Sequence, residues 1–201
     1  MIFLRGFLIG FAIAAPVGPI GVLCIRRTLA NGRLIGFVSG LGAATADMFY
    51  GAVAAFGLTA IQDILVGQQF WLHLLGGLFL IYLGARTFLT KPVDKRVTTD
   101  VKRGSLSAYL SALGLTLTNP ATIISFTVVF AGILPSSVVR GSSSLALILG
   151  VFSGSATWWL TLSGIVGWFR ERFTPAWMTW VNRIAGIVIL GFGLTALFIK
   201  S

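Results

Sequence analysis

The chain has 201 residues, of which 56% are hydrophobic and 10% charged, and its mean hydropathy is +0.95. Ordinary globular proteins carry about a quarter charged residues, so this composition excludes a soluble globular domain. The single cysteine, Cys24, excludes an intramolecular disulfide and a dithiol relay.

Uncharged stretches long enough to cross a bilayer recur along the chain. They run over residues 6–25, 64–85, 104–139, 141–169 and 184–199, and residues 34–62 are interrupted only by Asp47. A bilayer core needs about 20 residues of helix, and Arg183 and Lys200 can extend the shorter last stretch by snorkelling. The sequence therefore predicts an all-α integral membrane protein with six transmembrane helices in a single domain, residues 1–201.

The net charge is +10, and the basic residues are distributed as this predicted topology requires. Twelve of the fifteen basic residues lie in residues 26–33, 86–103 and 170–183, and three lie on the other side, at Arg5, Arg140 and Lys200. The positive-inside rule then predicts that the odd-numbered connections are cytoplasmic and that both termini lie outside. The basic runs are interpreted as topology determinants in contact with the lipid bilayer, and not as nucleic-acid sites.

The first span contains the sequence Pro16-Val-Gly18-Pro19 near its centre. Proline has no N–H and displaces the carbonyl four residues earlier, so the carbonyls of Ala12 and Ala15 are freed. Such groups are tolerated at this depth only inside protein or in a wet cavity, and a half-helix N-terminus suits a carboxylate. The sequence predicts a broken helix and a substrate site at Pro16, Gly18 and Pro19, with a structural kink as the alternative.

The second span carries the one acidic residue that interrupts these stretches. Asp47 lies thirteen residues beyond Leu34, which is about 20 Å of helix and hence near the midplane. Burying it costs about 2.5 to 3.5 kcal/mol on insertion scales, so it should face the interior. Binding of a proton or a substrate cation is one interpretation, and a protonated structural hydrogen bonder is the other. Small residues surround Asp47 at helical spacing: Gly40, Ala43, Ala44, Gly51 and Ala54.

The third span adds a secondary candidate, and the fourth span adds a second proline break to the predicted substrate site. His73 begins the third span near the outer interface, where an interfacial hydrogen bond or a proton relay are the alternatives. The fourth span contains a second predicted proline break, at Thr118-Asn119-Pro120, where Pro120 frees the carbonyl of Thr116.

The fifth span, which corresponds to the second, has Trp158 and Trp159 but no acid, so a carboxylate site is asymmetric. The two tryptophans are secondary candidates for the substrate site.

The two halves of the chain resemble each other. The segment Gly36-Phe-Val-Ser-Gly40 matches Gly150-Val-Phe-Ser-Gly154, and Trp71–Gly84 matches Trp180–Gly193 without a gap. Repeat one covers about residues 1–90, a cytoplasmic loop about 90–103, and repeat two about 104–201. Three spans per half make the repeat inverted, which is typical of secondary transporters with a midplane site, although glycine-rich helices also resemble one another by chance.

Four motifs in the first four spans carry a family resemblance. They are Pro16-Val-Gly-Pro19, Ala-Thr-Ala-Asp47, the segment from His73 to Gly84, and Thr118-Asn119-Pro120. The chain resembles the lysine exporter (LysE/RhtB) family of bacterial amino-acid efflux proteins. The resemblance implies a multi-pass protein of the bacterial plasma (inner) membrane that exports an amino acid or derivative from the cytoplasm. The proton motive force or the substrate gradient drives this export, with no ATPase and no cofactor. Exporters of lysine or arginine in this family look like they carry glutamine and asparagine after the first Gly-Pro. Here Ile20 and Gly21 follow, which leaves neutral substrates open.

An enzyme is not expected, because one interfacial histidine and one buried aspartate supply no intramembrane protease set. A metal site is not expected either, since Asp47 alone cannot hold an ion. Ion or metal transport remains the alternative function because an oligomer, such as a homodimer, could pool ligands. The predicted mechanism docks a zwitterionic substrate at both breaks while Asp47 exchanges a proton.

Overall fold

A computed structural model of the chain describes residues 1–16, 18–56, 69–89, 101–119, 122–123, 125–126, 142–170 and 175–198. Within these residues all regular secondary structure is helical, which confirms the predicted all-α class. The seven helices of this described part are α1 (Ile2–Ala14), α2 (Pro19–Asn31), α3 (Arg33–Ala55), α4 (Gln69–Leu89), α5 (Val101–Leu117), α6 (Ser142–Phe169) and α7 (Pro175–Phe198).

The first predicted span is two helices, α1 and α2, which meet at an angle of 81°. Pro19 is the first residue of α2 and Gly18 is its extended N-cap; proline suits this position because its missing N–H would be unpaired anyway. The Gly18 N–H donates to the Pro16 carbonyl at 2.9 Å, and the Val22 N–H donates to the Gly18 carbonyl at 3.0 Å. The chain therefore breaks at the prolines and restarts as a new helix.

The chain also leaves helical geometry at the end of α5. The Asn119 carbonyl accepts hydrogen bonds from Thr122 and Ile123, at 3.1 and 3.2 Å, as the Gly18 carbonyl does from Val22; Pro120 lies outside the described residues. One predicted detail is wrong, because the Thr116 carbonyl accepts the Asn119 N–H at 3.2 Å. The last turn tightens to three residues, a common way to satisfy terminal carbonyls.

Two helix boundaries differ from those inferred from charge. Arg26 and Arg27 lie inside α2 and not in a connection, because their guanidinium groups are bonded to neighbouring helices. Arg183 lies inside α7, which begins at Pro175. The Arg183 guanidinium lies over the Trp180 ring, 5.9 Å from its centroid, so charge alone places this helix start too late.

Among the described residues, Ser143–Phe169 is long and apolar enough to cross a membrane as one helix, and the bent pair α1 and α2 meets the same criterion if it forms one span. Shorter apolar helical stretches run over Leu74–Leu89, Gly104–Leu117 and Thr179–Thr195. The total of six spans remains a prediction from the sequence.

Glycines set the contacts between helices. Helix α6 packs between α1 and α3, and a Cβ at Gly10 of α1 would overlap the Val151 carbonyl of α6. Helix α4 packs on α7, with Gly77 against Gly193 and Gly84 against Gly186, so these two helices run in opposite directions. Close backbone approach at small residues is the usual means of association in membrane helices.

Candidate functional site

Asp47 lies in the middle of α3 and faces α6. Its side chain is 3% exposed, and Oδ2 accepts a hydrogen bond from Ser155 Oγ at 2.7 Å. Ser155 is fully buried and accepts in turn from Trp159 Nε1 at 3.1 Å. In the described part of the chain no basic side chain forms an ion pair with Asp47. The carboxylate is therefore held by a neutral hydroxyl, which leaves it able to take up a proton or a cation.

Small residues of α3 allow this close approach of α6. A Cβ at Gly40 would overlap the Trp159 side chain. A Cβ at Gly51 would lie 3.4 Å from the Val151 side chain, in ordinary contact. Ala43 and Ala44 are buried in the same core cluster as Trp159. The small residues around Asp47 therefore allow Trp159 and Ser155 of α6 to pack closely against α3.

One turn after Asp47, Tyr50 connects α3 to the second break. Its hydroxyl donates to the Leu117 carbonyl at 2.6 Å, and its ring lies 5.5 Å from that of Phe126. Leu117 ends α5, where carbonyls lack a partner within the helix. Tyr50 and Ser155 were not predicted as site residues; the signal for Tyr50 was a hydroxyl at i+3 from a buried acid.

The first break packs against the core cluster that contains Trp159. Ala14 and Ile20, which flank the break, belong to the core cluster of Trp159. Pro19 is buried, Gly18 is half-buried and Pro16 is exposed. The Ile20 and Gly21 N–H groups in the first turn of α2 have no acceptor within their own helix, and both residues are buried.

The remaining predicted residues lie around this centre. The Trp158 ring meets Phe11 edge to face at 5.4 Å. Thr118 Oγ1 donates to the Gly114 carbonyl at 2.9 Å, and Asn119 is half-buried. His73 lies in α4, but its side chain, like all of Pro120, lies outside the described part.

We call Asp47, Tyr50, Ser155 and Trp159 the central polar cluster. It spans α3 and α6 and lies between the two helix breaks. No group of three or more metal-ligating side chains occurs among the described residues. The cluster can accept a proton or an ammonium group at Asp47, with backbone donors nearby for a carboxylate.

The sequence profile of the LysE type translocators matches residues 11–199. The chain belongs to the LysE type translocator family. This LysE translocator is thus a membrane transport protein, and membership of a transporter family agrees with the expectation that it is not an enzyme.

It is 28% identical over 196 residues to "putative amino acid efflux protein YcgF" of Bacillus subtilis, covering 96% of this chain and 93% of that protein. It is 25% identical over 201 residues to "arginine exporter protein ArgO" of Pectobacterium carotovorum, covering 96% and 95% of the two chains. No solved structure matches the chain.

The Tyr50 hydrogen bond yields a stability prediction. Tyr50→Phe keeps the ring contact with Phe126 but leaves the half-buried Leu117 carbonyl without its donor, so we expect the free energy of unfolding to fall by about 1 to 2 kcal/mol. Thermal unfolding of the purified protein in detergent measures this loss. Tyr109→Phe is the matched control, because its hydroxyl bonds Thr45 at 2.9 Å and leaves no carbonyl without a partner; equal losses in the two variants would contradict the assignment.

Proposed function

We propose that this LysE translocator exports an amino acid or close derivative from the cytoplasm as a secondary transporter. Family membership and two relatives named as an amino acid efflux protein and an arginine exporter support this substrate class. The observation that carries the proposal is the buried Asp47, bonded to Ser155 between two helix breaks. An intramembrane acid at such a place marks a transport pathway by default.

A zwitterionic substrate fits the two kinds of group around the central polar cluster. The N–H groups at the start of α2, beyond Gly18, are donors for its carboxylate. Asp47 and the carbonyls of Ala12 and Ala15 are acceptors for its ammonium group. The Thr116 carbonyl does not serve in this role, because it accepts the Asn119 N–H.

The residues after the first break favour a neutral substrate side chain. Ile20 is 7% exposed and belongs to the apolar core cluster with Trp159, and Gly21 offers no side chain. A cationic side chain would meet no acid there other than Asp47 among the described residues, and Asp47 is already required for the ammonium group.

Two inverted three-helix repeats account for the helix contacts. If α4 and α7 are equivalent, Gly77 corresponds to Gly186 and Gly84 to Gly193. The contacts join Gly77 to Gly193 and Gly84 to Gly186, which is the reciprocal pairing that a two-fold axis requires. Alternating access then follows from rocking one repeat against the other.

Proton coupling through Asp47 completes the proposal, with both termini outside as the basic residues predict. Asp47 takes up a proton in one conformation and releases it in another. Ser155 can donate its hydrogen bond both to the carboxylate and to the carbonyl oxygen of the protonated acid, so both forms keep this partner. This exchange would link outward substrate movement to inward proton movement.

Efflux from cells preloaded with radiolabelled amino acids tests the function directly. We expect cells that produce the protein to export one class of neutral amino acid several-fold faster than cells with an empty vector, and a protonophore to remove the difference. Lysine and arginine in the same panel test the side-chain preference. No export of any amino acid, with the protein present in the membrane, would favour ion or metal transport instead.

A further inference from the structure

Arginine side chains hold the end of α2 that lies away from the break. Arg27 Nη1 donates to Ser39 Oγ of α3 at 3.0 Å and to the Ala108 carbonyl of α5 at 2.9 Å. Its Nη2 donates to Ser111 Oγ of α5 at 2.7 Å. One guanidinium group therefore joins three helices.

Two further arginines support the same end. Arg26 Nε donates to Asn182 Oδ1 of α7 at 3.0 Å. Arg170, which follows α6, donates to the carbonyls of Leu29 and Ala30 at 3.0 and 3.2 Å. These bonds satisfy carbonyls at the end of α2 that have no helical partner, so α2 is tied to every helix around it.

All of the Arg27 partners are neutral. The Ser39 and Ser111 hydroxyls donate to the carbonyls of Ile35 and Ser107, at 2.9 and 2.6 Å, so they face Arg27 as acceptors. Asp47 is the one acidic residue in the described ranges, and it bonds Ser155. A guanidinium group binds a carboxylate more strongly than it binds hydroxyls, and it does so with two parallel N–H groups.

The contacts also close the protein between Arg27 and the central polar cluster. Eight residues, about 12 Å of helix, separate Pro19 from Arg27. Leu23 and Cys24 in this interval are each 1% exposed, and Thr28 just beyond is fully buried. A substrate that enters from this end must first displace α2 from its neighbours.

We propose that Arg27 is a gate residue and the first binding site for the carboxylate of the substrate. Its neutral partners hold α2 against α3 and α5, and an arriving carboxylate replaces Ser39 and Ser111, which loosens α2 from these two helices and opens the way to Asp47. The carboxylate step rests on the proposed function, while the closing role of Arg27 does not. The sequence places this end of α2 on the cytoplasmic side.

The single cysteine of the chain reports on this gate. Cys24 is buried and lies one turn before Arg27. We expect Arg27→Ala to raise the rate at which a membrane-impermeant maleimide labels Cys24 in everted vesicles about tenfold or more. The variant removes three charged hydrogen bonds, and the loss of one of moderate strength already corresponds to about that factor. Arg33→Ala is the matched control, because Arg33 is exposed and bonds no described residue; it should leave the rate unchanged.

The double variant Ser39→Ala/Ser111→Ala should act in the same direction with the arginine retained. If Arg27→Ala fails to fold, as judged by its elution profile in detergent, the double variant still tests whether the Arg27 contacts close access to Cys24. An unchanged labelling rate in the folded variants would overturn the gate, even in a protein that transports.

The carboxylate step needs its own comparison. An equimolar mixture of L-alanine, L-threonine and L-leucine should accelerate Cys24 labelling in the wild type severalfold, the three amino-acid amides should not, and Arg27→Ala should respond to neither. Equal effects of acids and amides would overturn carboxylate binding at Arg27. Failure of amino-acid efflux with faster labelling of Arg27→Ala would refute the transported substrate but not the gate.

Discussion

Asp47→Asn is expected to abolish proton-coupled efflux while the protein remains folded in the membrane. The asparagine side chain has the same shape and its amide oxygen still accepts the Ser155 hydrogen bond, but it cannot take up or release a proton. We expect efflux against a gradient to fall to background, a loss of roughly tenfold or more. Exchange of labelled for unlabelled substrate without a gradient should slow but persist, because the asparagine oxygen still accepts a hydrogen bond from the ammonium group although its negative charge is lost.

Efflux of the exported amino acid, with and without a protonophore, measures this difference. Asp94→Asn is a matched control, because Asp94 lies in the charged connection between the two halves of the sequence. Undiminished uphill efflux by Asp47→Asn would reject the coupling role. Complete loss of both uphill efflux and exchange would assign Asp47 to substrate binding alone and remove the support for a separate coupling role.

A single methyl group at Gly154 is expected to destabilise the protein strongly. Gly154 of α6 lies against α1, and a Cβ there would overlap the Phe7 carbonyl, a backbone atom that cannot move aside alone. Overpacking of this kind costs about 1 to 3 kcal/mol. For a chain of this size each kcal/mol lowers the melting temperature by about 2 to 4 °C.

Gly164→Ala is a control on the same helix, and it is expected to raise the melting temperature where Gly154→Ala lowers it. A Cβ at Gly164 meets nothing within 4 Å, and alanine in a helix interior is about 1 kcal/mol more favourable than glycine. Melting of both variants in the same detergent makes the comparison. Equal melting temperatures would show that α1 does not approach α6 as closely as described.

Some features of this protein follow from the covalent chemistry of single residues, and these could be predicted. Pro19 and Pro16 lack an N–H, so the regular hydrogen bonding of the first helix is interrupted there, by a break or a kink. Asp47 is an ionisable residue in an apolar segment, so it is expected to be buried against a partner. The structure has the break at these prolines and Asp47 at 3% exposure.

The partners of these residues could not be predicted, and the hydroxyls of α6 show why. Ser153, Thr157 and Thr161 donate to the carbonyl four residues earlier in their own helix. Any serine in a membrane helix can do the same. Ser155 donates to Asp47 instead because α6 crosses α3 at that level, which is a property of packing and not of local sequence.

The sequence by itself determined the helical class, the family pattern, the broken first helix and the residue that carries the buried charge. The tertiary structure decided that Tyr50 satisfies the Leu117 carbonyl and that Arg27 lies inside a helix with three neutral acceptors. The reason is physical: a missing donor or an apolar run acts on its own segment, whereas a hydrogen-bond partner depends on which helices meet and at what height.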